Sequence, residues 1–407
     1  MSHQYDAIVV GARCAGSPTA MLLARKGHNV LLLDRATFPS DTVSTHLIHP
    51  PGVNALERWG LLDRVVTTGC PPIHTYAFDM GPFVISGSPG TPESPLSYSP
   101  RRTVLDALLV NAAAEAGVEV RTDFIVEEIV RDGDRVVGIR GRRKGGQDVT
   151  ERAQVVVGAD GVHSLLARTL APAEYNAKPP LEASYYAYWS GLPMNGRLEG
   201  YDRGNRVWAA WPTNDDLTLV IVGWPYAEFD ANKGNFEAQY MAAFDRAPAF
   251  AERMQAARRE ERFIGAAVPN FFRQPFGPGW ALVGDAGYTK DFITAQGISD
   301  AFRQAEICAD ALHESFSGVR PFEVAMRAYQ TTRDERVLPT FEFACQFASF
   351  TPPPPEMQQL FAAMQGNQDA MDGFARVFAG VTSPAEFFSP ENAGRILAAS
   401  PVARSAL

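Results

Sequence analysis

Residues 7–35 read AIVVGARCAGSPTAMLLARKGHNVLLLDR. Ala7 to Val10 is an apolar run of the kind found in buried parallel strands. Gly11 and Gly16 bracket a turn, Ala20, Leu23 and Ala24 recur at helical spacing, and Val30 to Leu33 form a second apolar strand closed by Asp34. This is a βαβ unit of the type that seats a dinucleotide pyrophosphate on a helix N-terminus, with Asp34 placed to accept from a ribose hydroxyl. One position departs from the G-x-G-x-x-G pattern: its middle glycine is Arg13. Either the turn is wider than usual, or the guanidinium itself meets the ribose or pyrophosphate. The nucleotide-contacting set is then Gly11, Arg13, Cys14, Ala15 and Gly16, with Asp34 and Arg35 at the end of the second strand. The alternative is an ordinary βαβ crossover whose glycines serve only the turn.

The chain has 407 residues, 46% hydrophobic and 20% charged, which predicts a globular protein of two or three subdomains. A net charge of −9 disfavours nucleic acid or an anionic membrane surface as partner. Four scattered cysteines (Cys14, Cys70, Cys308, Cys345) form neither a metal-ligand pair nor a disulfide framework, so no metal is expected and a reducing cytoplasm fits. Neither a signal peptide nor an eighteen-residue apolar run is visible, and no membrane association is expected.

Further along, Pro39, Pro50 and Pro51 predict a loop followed by a helix from about Val53 to Trp59. Thr75–Phe78 and Phe83–Ser86 read as a hairpin of a second sheet, and Arg101–Gly117 as an amphipathic helix with a glycine cap. Asp132-Gly133 marks a hairpin turn, and Ala153–Gly158 another buried parallel strand. Between about Pro179 and Phe263 aromatic, alternating segments dominate (Ala183–Ser190, Arg206–Pro212, Leu217–Trp224), as in an antiparallel sheet, followed by a helical interlude at Phe236–Arg259. Trp280–Gly284 returns to buried-strand texture, Gly297–Ser315 is a long helix, and the remainder is helical with a break at Thr351–Pro355.

Three more motifs accompany the first turn. They are Gly158-Ala159-Asp160-Gly161-Val162-His163-Ser164 continuing to Arg168; Gly284-Asp285-Ala286-Gly287 continuing to Gly297; and Arg102 with Leu105-Asp106. Their order and spacing resemble the FAD-dependent monooxygenases of the para-hydroxybenzoate hydroxylase type (group A). The phrases GARCAGSPTA, DTVSTH and GDAGYTKDFITAQGISDAF are most similar to the geranylgeranyl-reductase-like branch. The resemblance covers roughly residues 5–170 and 260–312. It implies an α/β fold: a discontinuous Rossmann-like FAD-binding domain (1–75, 101–175 and 264–320), an inserted antiparallel-sheet substrate domain (76–100 and 176–263) and a helical C-terminal region (321–407). It also implies that Asp285 faces the ribityl and phosphate region, that Arg102 reaches the same side, and that Asp160-Gly161 serves FAD and NAD(P)H without a second Rossmann domain. The helix beginning at Ala295, Gln296, Gly297 and Ile298 would present its positive end to the reduced flavin. Phe292 stands where the family usually carries proline. Read without the family, Asp160 is a helix cap, Asp285 a turn residue and Arg102 a solvated helix charge.

The family scheme implies that NAD(P)H reduces FAD, that O2 adds at the flavin C4a, and that the hydroperoxyflavin hydroxylates a small phenolic or related aromatic substrate. Such an enzyme is a single-component monooxygenase, and a monomer or homodimer. Tyr185, Tyr186, Tyr188, Trp189, Trp208, Trp211 and Trp224 crowd three strands, and alternation puts Trp189 on the face of Tyr185 and Trp208 opposite Trp211. Tyr186, Tyr188, Trp208, Trp211 and Phe292 are substrate-contact candidates; core packing or a dimer surface is the alternative. His46 is the first candidate for proton handling or flavin contact, ahead of His49 and His74. Lys290 reads as an outward-facing lysine, with the flavin or an anionic substrate as the other option. His28 and His313 read as surface residues. A reductase of isoprenoid double bonds is the main alternative activity; an aromatic-rich sheet and no obvious long apolar channel stand against it. A flavin halogenase is weaker, because Trp208-Ala209-Ala210-Trp211-Pro212 only echoes the Trp-x-Trp-x-Ile-Pro signature. A flavin-holding module without turnover is the alternative outside enzymes.

Overall fold

The computed structural model describes residues 5–399. Its first layer is a mainly parallel sheet. In spatial order its central strands are Glu119–Arg121, Val30–Leu33, Tyr5–Val10, Val149–Gly158 and Trp280–Leu282. The apolar runs register as parallel neighbours, Val10 beside both Leu33 and Gly158, and Gly158 beside Leu282. Chain order reverses between the first strand and Val149–Gly158. The carboxyl ends there form a topological switch point, where open α/β sheets bind ligands.

One face of this sheet is covered by the helices Gly16–Arg25, Arg102–Glu115 and Gly297–Phe316, whose Leu23, Leu105, Leu109, Phe302 and Leu312 share one core with Val9, Leu32 and Val157. The other face packs against the Phe124–Asp132/Arg135–Arg143 hairpin, in which Gly133 takes φ +58°. The helix expected from Val53 begins at Pro50. The tandem prolines open it rather than delay it, because a first-turn residue needs no N–H and proline's fixed φ suits the position.

A second sheet contains, in order, Arg258–Arg259, Glu182–Ser190, Thr218–Pro225, Val207–Pro212, Arg197–Asp202, Thr75–Asp79 and Val84–Gly87. All pairs are antiparallel except Arg197–Asp202 with Thr75–Asp79. The interlude after it is two helices, Phe236–Phe244 and Pro248–Ala256, covering one face. The other face meets the C-terminal helices Phe322–Ala348, Pro355–Met364 and Gln368–Phe378. Among the described residues no helix is long and apolar enough to cross a membrane, and no group of three His, Cys, Asp or Glu side chains could hold a metal ion. All four cysteines are free and buried.

Candidate active site

The sequence motifs meet at the switch point. Gly11 has φ +105°, and a Cβ there would lie 2.4 Å from the carbonyl oxygen of Ala159. The first turn therefore presses on the Ala159–Asp160 strand exit. Gly284 (φ +62°) closes the third side, since its Cβ would lie 2.7 Å from that of Ala15. Within the mostly buried stretch 281–305, Asp285 and Gly297 are exposed, and nothing lies within 4 Å of the Cβ position of Gly297. The start of the twenty-residue helix Gly297–Phe316 thus opens on the groove, its unpaired N–H groups and positive dipole end available to an anionic edge. Asp285 is reached by water yet ringed by protein. Burial lifts its pKa to about 6, with Arg102 pulling the other way. Asp160 bonds the Leu165 N–H through Oδ2 at 2.7 Å, while its Oδ1 has no protein partner. Burial raises its pKa as well. Gly161 holds φ +80° with open space at its Cβ position.

Arg13 is accommodated because its side chain leaves the turn. Its Nη1 donates to Asp106 Oδ2 at 2.5 Å and its Nη2 to Ser40 Oγ at 3.0 Å. Asp106, fully buried, also accepts from Arg102 Nε at 3.0 Å and from the Cys14 thiol at 3.5 Å. One carboxylate therefore fixes two guanidinium groups beside the groove. Burial raises the pKa of Cys14, so it stays a neutral thiol. Asp106 lay inside a recognised motif but carried no role in the sequence reading; the signal available was its i,i+4 spacing from Arg102. Asp34 also does more than expected. Its Oδ2 accepts the Ala12 N–H at 2.7 Å and its Oδ1 the Ala36 N–H at 2.8 Å, so it braces the turn. Arg35 points to solvent.

The loop ahead of the long helix is held from behind. Lys290 is buried, not outward-facing. Its ammonium pairs with Asp300 at 2.9 Å and donates to Gln296 Oε1 and Thr340 Oγ1. Burial lowers its pKa while Asp300 opposes the shift. Gln296 Nε2 reaches the Phe378 carbonyl at 2.8 Å, so its side chain ties the loop to the C-terminal helices instead of facing the groove. Ile298 is core, and Ala295 takes a left-handed φ of 52°. His49, ranked low from sequence, sits under this loop. Its Nε2 donates to the Thr294 carbonyl at 2.9 Å and its Nδ1 accepts from the Tyr76 hydroxyl at 2.7 Å. Burial holds its pKa down at about 4.

His46 is fully buried with φ +61°. Its Nε2 is hydrogen-bonded to the Tyr188 hydroxyl, and its Nδ1 has no protein partner. Burial, then the charges of Arg102 and Arg101, holds its pKa well below the ordinary value, so the imidazole is neutral. Arg101 lies 4.4 Å from the Tyr188 ring centroid, and the Tyr186 hydroxyl accepts the Ser44 N–H at 3.3 Å. These two tyrosines bind the 44–46 loop; they do not border the cavity described next. His74 is exposed and bonds to Thr75, whereas His28 and His313 bond each other at 2.8 Å.

A cavity of about 850 Å³ lies between the second sheet and the C-terminal helices. Thr45, Phe292, Ile293 and Ala295 border it from the groove side. Gly200, Ala209 and Gly223 are its small-residue floor, and Phe343, Phe347 and Phe361 stand on the helical wall. Trp211 and Phe292 line it as expected. Trp208 belongs to the opposite face, stacked on Tyr201 at 4.9 Å and packed with Phe244 and Phe250; it borders the cavity beside the two floor glycines. Trp189, Trp224 and Tyr185 are core packing on that same far face. A large, mostly apolar space that is not obvious from the sequence is therefore present. No single segment encodes it: its walls come from nine separate stretches of chain between Thr45 and Phe388.

Residues 4–225 match the family described as FAD binding domain. The chain is 26% identical over 320 residues to digeranylgeranylglycerophospholipid reductase of Methanocella arvoryzae, covering 77% of this chain and 78% of that one. Its fold is similar to that of the flavin-dependent brominase Bmp2 (19% identity, TM-score 0.80, 100% and 99% covered). It is also similar to that of PqsL, a probable FAD-dependent monooxygenase from Pseudomonas aeruginosa (22% identity, TM-score 0.72, 93% and 99% covered). The groove fits an anionic dinucleotide: a glycine cradle at Gly11, a helix N-terminus at Gly297, two fixed guanidinium groups and an unpaired Asp160 oxygen. With more than half of the chain matched, the protein belongs to the FAD binding domain family and is an FAD-dependent oxidoreductase.

Proposed function

We propose that the protein is an NAD(P)H-driven monooxygenase that hydroxylates a hydrophobic aromatic substrate larger than a single phenol ring. The observation that carries this reading is the lining of the cavity beside the flavin loop. Twelve lining residues carry aromatic rings, against six with large aliphatic side chains. Ring walls stack planar ligands in offset or edge-on geometry. A dry cavity of about 150 Å³ already holds benzene, so this one, at about 850 Å³, accommodates several fused or substituted rings.

FAD, when bound, supplies the redox chemistry, taking electrons from NAD(P)H and activating O2. The protein supplies the rest. Arg13 and Arg102, held by Asp106, offset phosphate charge, and the helix start at Gly297 stabilises negative charge on a reduced ring. NAD(P)H docks on the same domain near Asp160-Gly161. The phenylalanine wall excludes water from the reacting edge. His46, neutral and with a free Nδ1, handles a proton or contacts the flavin rather than supplying charge.

Reduction of an isoprenoid double bond is the second reading. The apolar cavity and the 26% identical reductase, aligned over 77% of this chain, both favour it. Halogenation has less support: none of the five lysines lines the cavity, Lys178 is paired with Glu342 at its edge, and the Lys290 ammonium is engaged by Asp300, Gln296 and Thr340. The purified flavoprotein should oxidise NADH or NADPH faster when naphthols are added, with O2 uptake and a hydroxylated product in the mass spectrum. No stimulation by any aromatic, together with anaerobic saturation of a geranylgeranyl chain, would overturn the proposal in favour of the reductase.

A further inference from the structure

At the edge of the cavity Glu182 stands in front of a second carboxyl, Asp291, which does not itself line the space. Glu182 borders the cavity, is 2% exposed, and is the only buried ionisable residue among those lining it. Its Oε1 accepts from the Ser184 hydroxyl, and its Oε2 has no donor. The carboxyl of Asp291 lies within hydrogen-bonding reach, and its Oδ2 likewise lacks a donor. Two adjoining carboxyl groups in a buried site cannot both ionise, so they share a proton. The anion resides on Asp291, whose carboxylate accepts the Ile293 N–H at 3.1 Å and the Glu182 N–H, while burial and that neighbouring charge keep Glu182 protonated.

The arrangement is built into both elements. Glu182 opens the strand Glu182–Ser190, and its carboxyl occupies the space over Gly223, where a Cβ would come within 1.8 Å of Oε1. Asp291 caps the short turn Phe292–Thr294 that borders the cavity, and its own N–H donates to Asn270 Oδ1 at 2.6 Å. The pair therefore joins the substrate space to the loop that faces the flavin.

We propose that Glu182 is the hydroxyl-recognition group of the cavity and that the Asp291 carboxylate behind it, reached through Glu182, is the base for ring activation. A substrate hydroxyl donates to the Glu182 carboxyl. As the ring is attacked, the O–H bond breaks, its proton passes to Glu182 while the proton Glu182 already holds passes to the Asp291 carboxylate, and the electron pair stays on the substrate oxygen and feeds the ring. The pair goes from one shared proton to two, and no other reactant is needed for this transfer. The inference rests on the reading that an aromatic substrate occupies this cavity. It adds a specificity rule: an apolar ring system carrying a hydroxyl is preferred over the same skeleton without one.

The test compares binding of 2-naphthol and 2-methoxynaphthalene to the holoenzyme, followed by perturbation of the flavin spectrum. Wild type should favour the naphthol about tenfold, the worth of one net hydrogen bond. Glu182→Leu should bring the ratio within about twofold, with flavin content kept and the methyl ether bound as well as before. Glu182→Gln retains an acceptor but takes up no proton, so it should keep most of the discrimination and KM while kcat falls at least tenfold, roughly. A Glu182→Leu holoenzyme with undiminished preference, or a Glu182→Gln enzyme with unchanged kcat, would overturn the assignment and leave the proposed function standing. Failure of the wild type to bind either probe would overturn both.

Discussion

Replacing Asp106 by asparagine tests whether one buried carboxylate organises the phosphate side of the groove. Asp106 is inaccessible to solvent and Arg102 is 8% exposed, so the change leaves a buried guanidinium without its counter-ion. Breaking such a pair by removing one partner costs about 3–5 kcal/mol. The Arg13 side chain, 24% exposed, can rehydrate, and its loss adds at most about 1 kcal/mol. Asparagine still offers one acceptor oxygen, so the lower end, about 3 kcal/mol, is expected. At an unfolding entropy of about 2.1 cal/mol/K per residue, that lowers the Tm of this 407-residue chain by about 3–4 °C. Calorimetry and flavin content of purified protein are the assays; FAD affinity should fall at least about tenfold as both guanidiniums lose their anchor. The double variant Asp106→Leu/Arg102→Met should regain most of the stability, because a buried pair is replaceable by packing, yet remain poor in flavin. Asp106→Asn with an unchanged Tm and full flavin would refute the idea that this carboxylate holds the site together.

Three other outcomes are expected. Gly11→Ala places a Cβ 2.4 Å from the Ala159 oxygen at φ +105°, so the strand exits must part and the protein should purify colourless; full flavin would show that the turn yields. His49 binds a proton only near pH 4 when folded but near 6.5 when unfolded, so the unfolded chain holds the extra proton between those values and stability drops as pH falls through the window. The drop is up to about 3 kcal/mol, and subtracting the non-titrating variant His49→Gln by denaturant titration at several pH values should isolate it; identical pH profiles would count against the buried neutral imidazole. His46→Ala should keep FAD and lose turnover or coupling, with Tyr188→Phe showing the same direction by less than about tenfold, and unchanged steady-state kinetics in both would remove the pair from the site.

Much of the fold was legible because its signals are local. Continuous apolar runs marked the parallel strands, alternation marked the second sheet, and glycines at Gly11, Gly161 and Gly284 sit where positive φ or a close approach requires them. Alternation also assigned Trp208 and Trp211 to opposite faces correctly. Lys290 and Gln296 were misplaced because nothing near them in the chain reports Asp300, Thr340 or the Phe378 carbonyl. His49 was ranked low for the same reason: its partners Tyr76 and Thr294 lie 27 and 245 residues away.

By itself the sequence determined the nucleotide-binding half, since strand, turn and helix N-terminus follow from patterns a few residues long and their glycines admit few backbone alternatives. Only the tertiary structure decided the substrate half. A cavity is defined by walls contributed from remote strands and helices, here from Thr45 to Phe388. The acid pair of Glu182 and Asp291 exists only because two segments more than a hundred residues apart are packed until their carboxyl groups must share a proton.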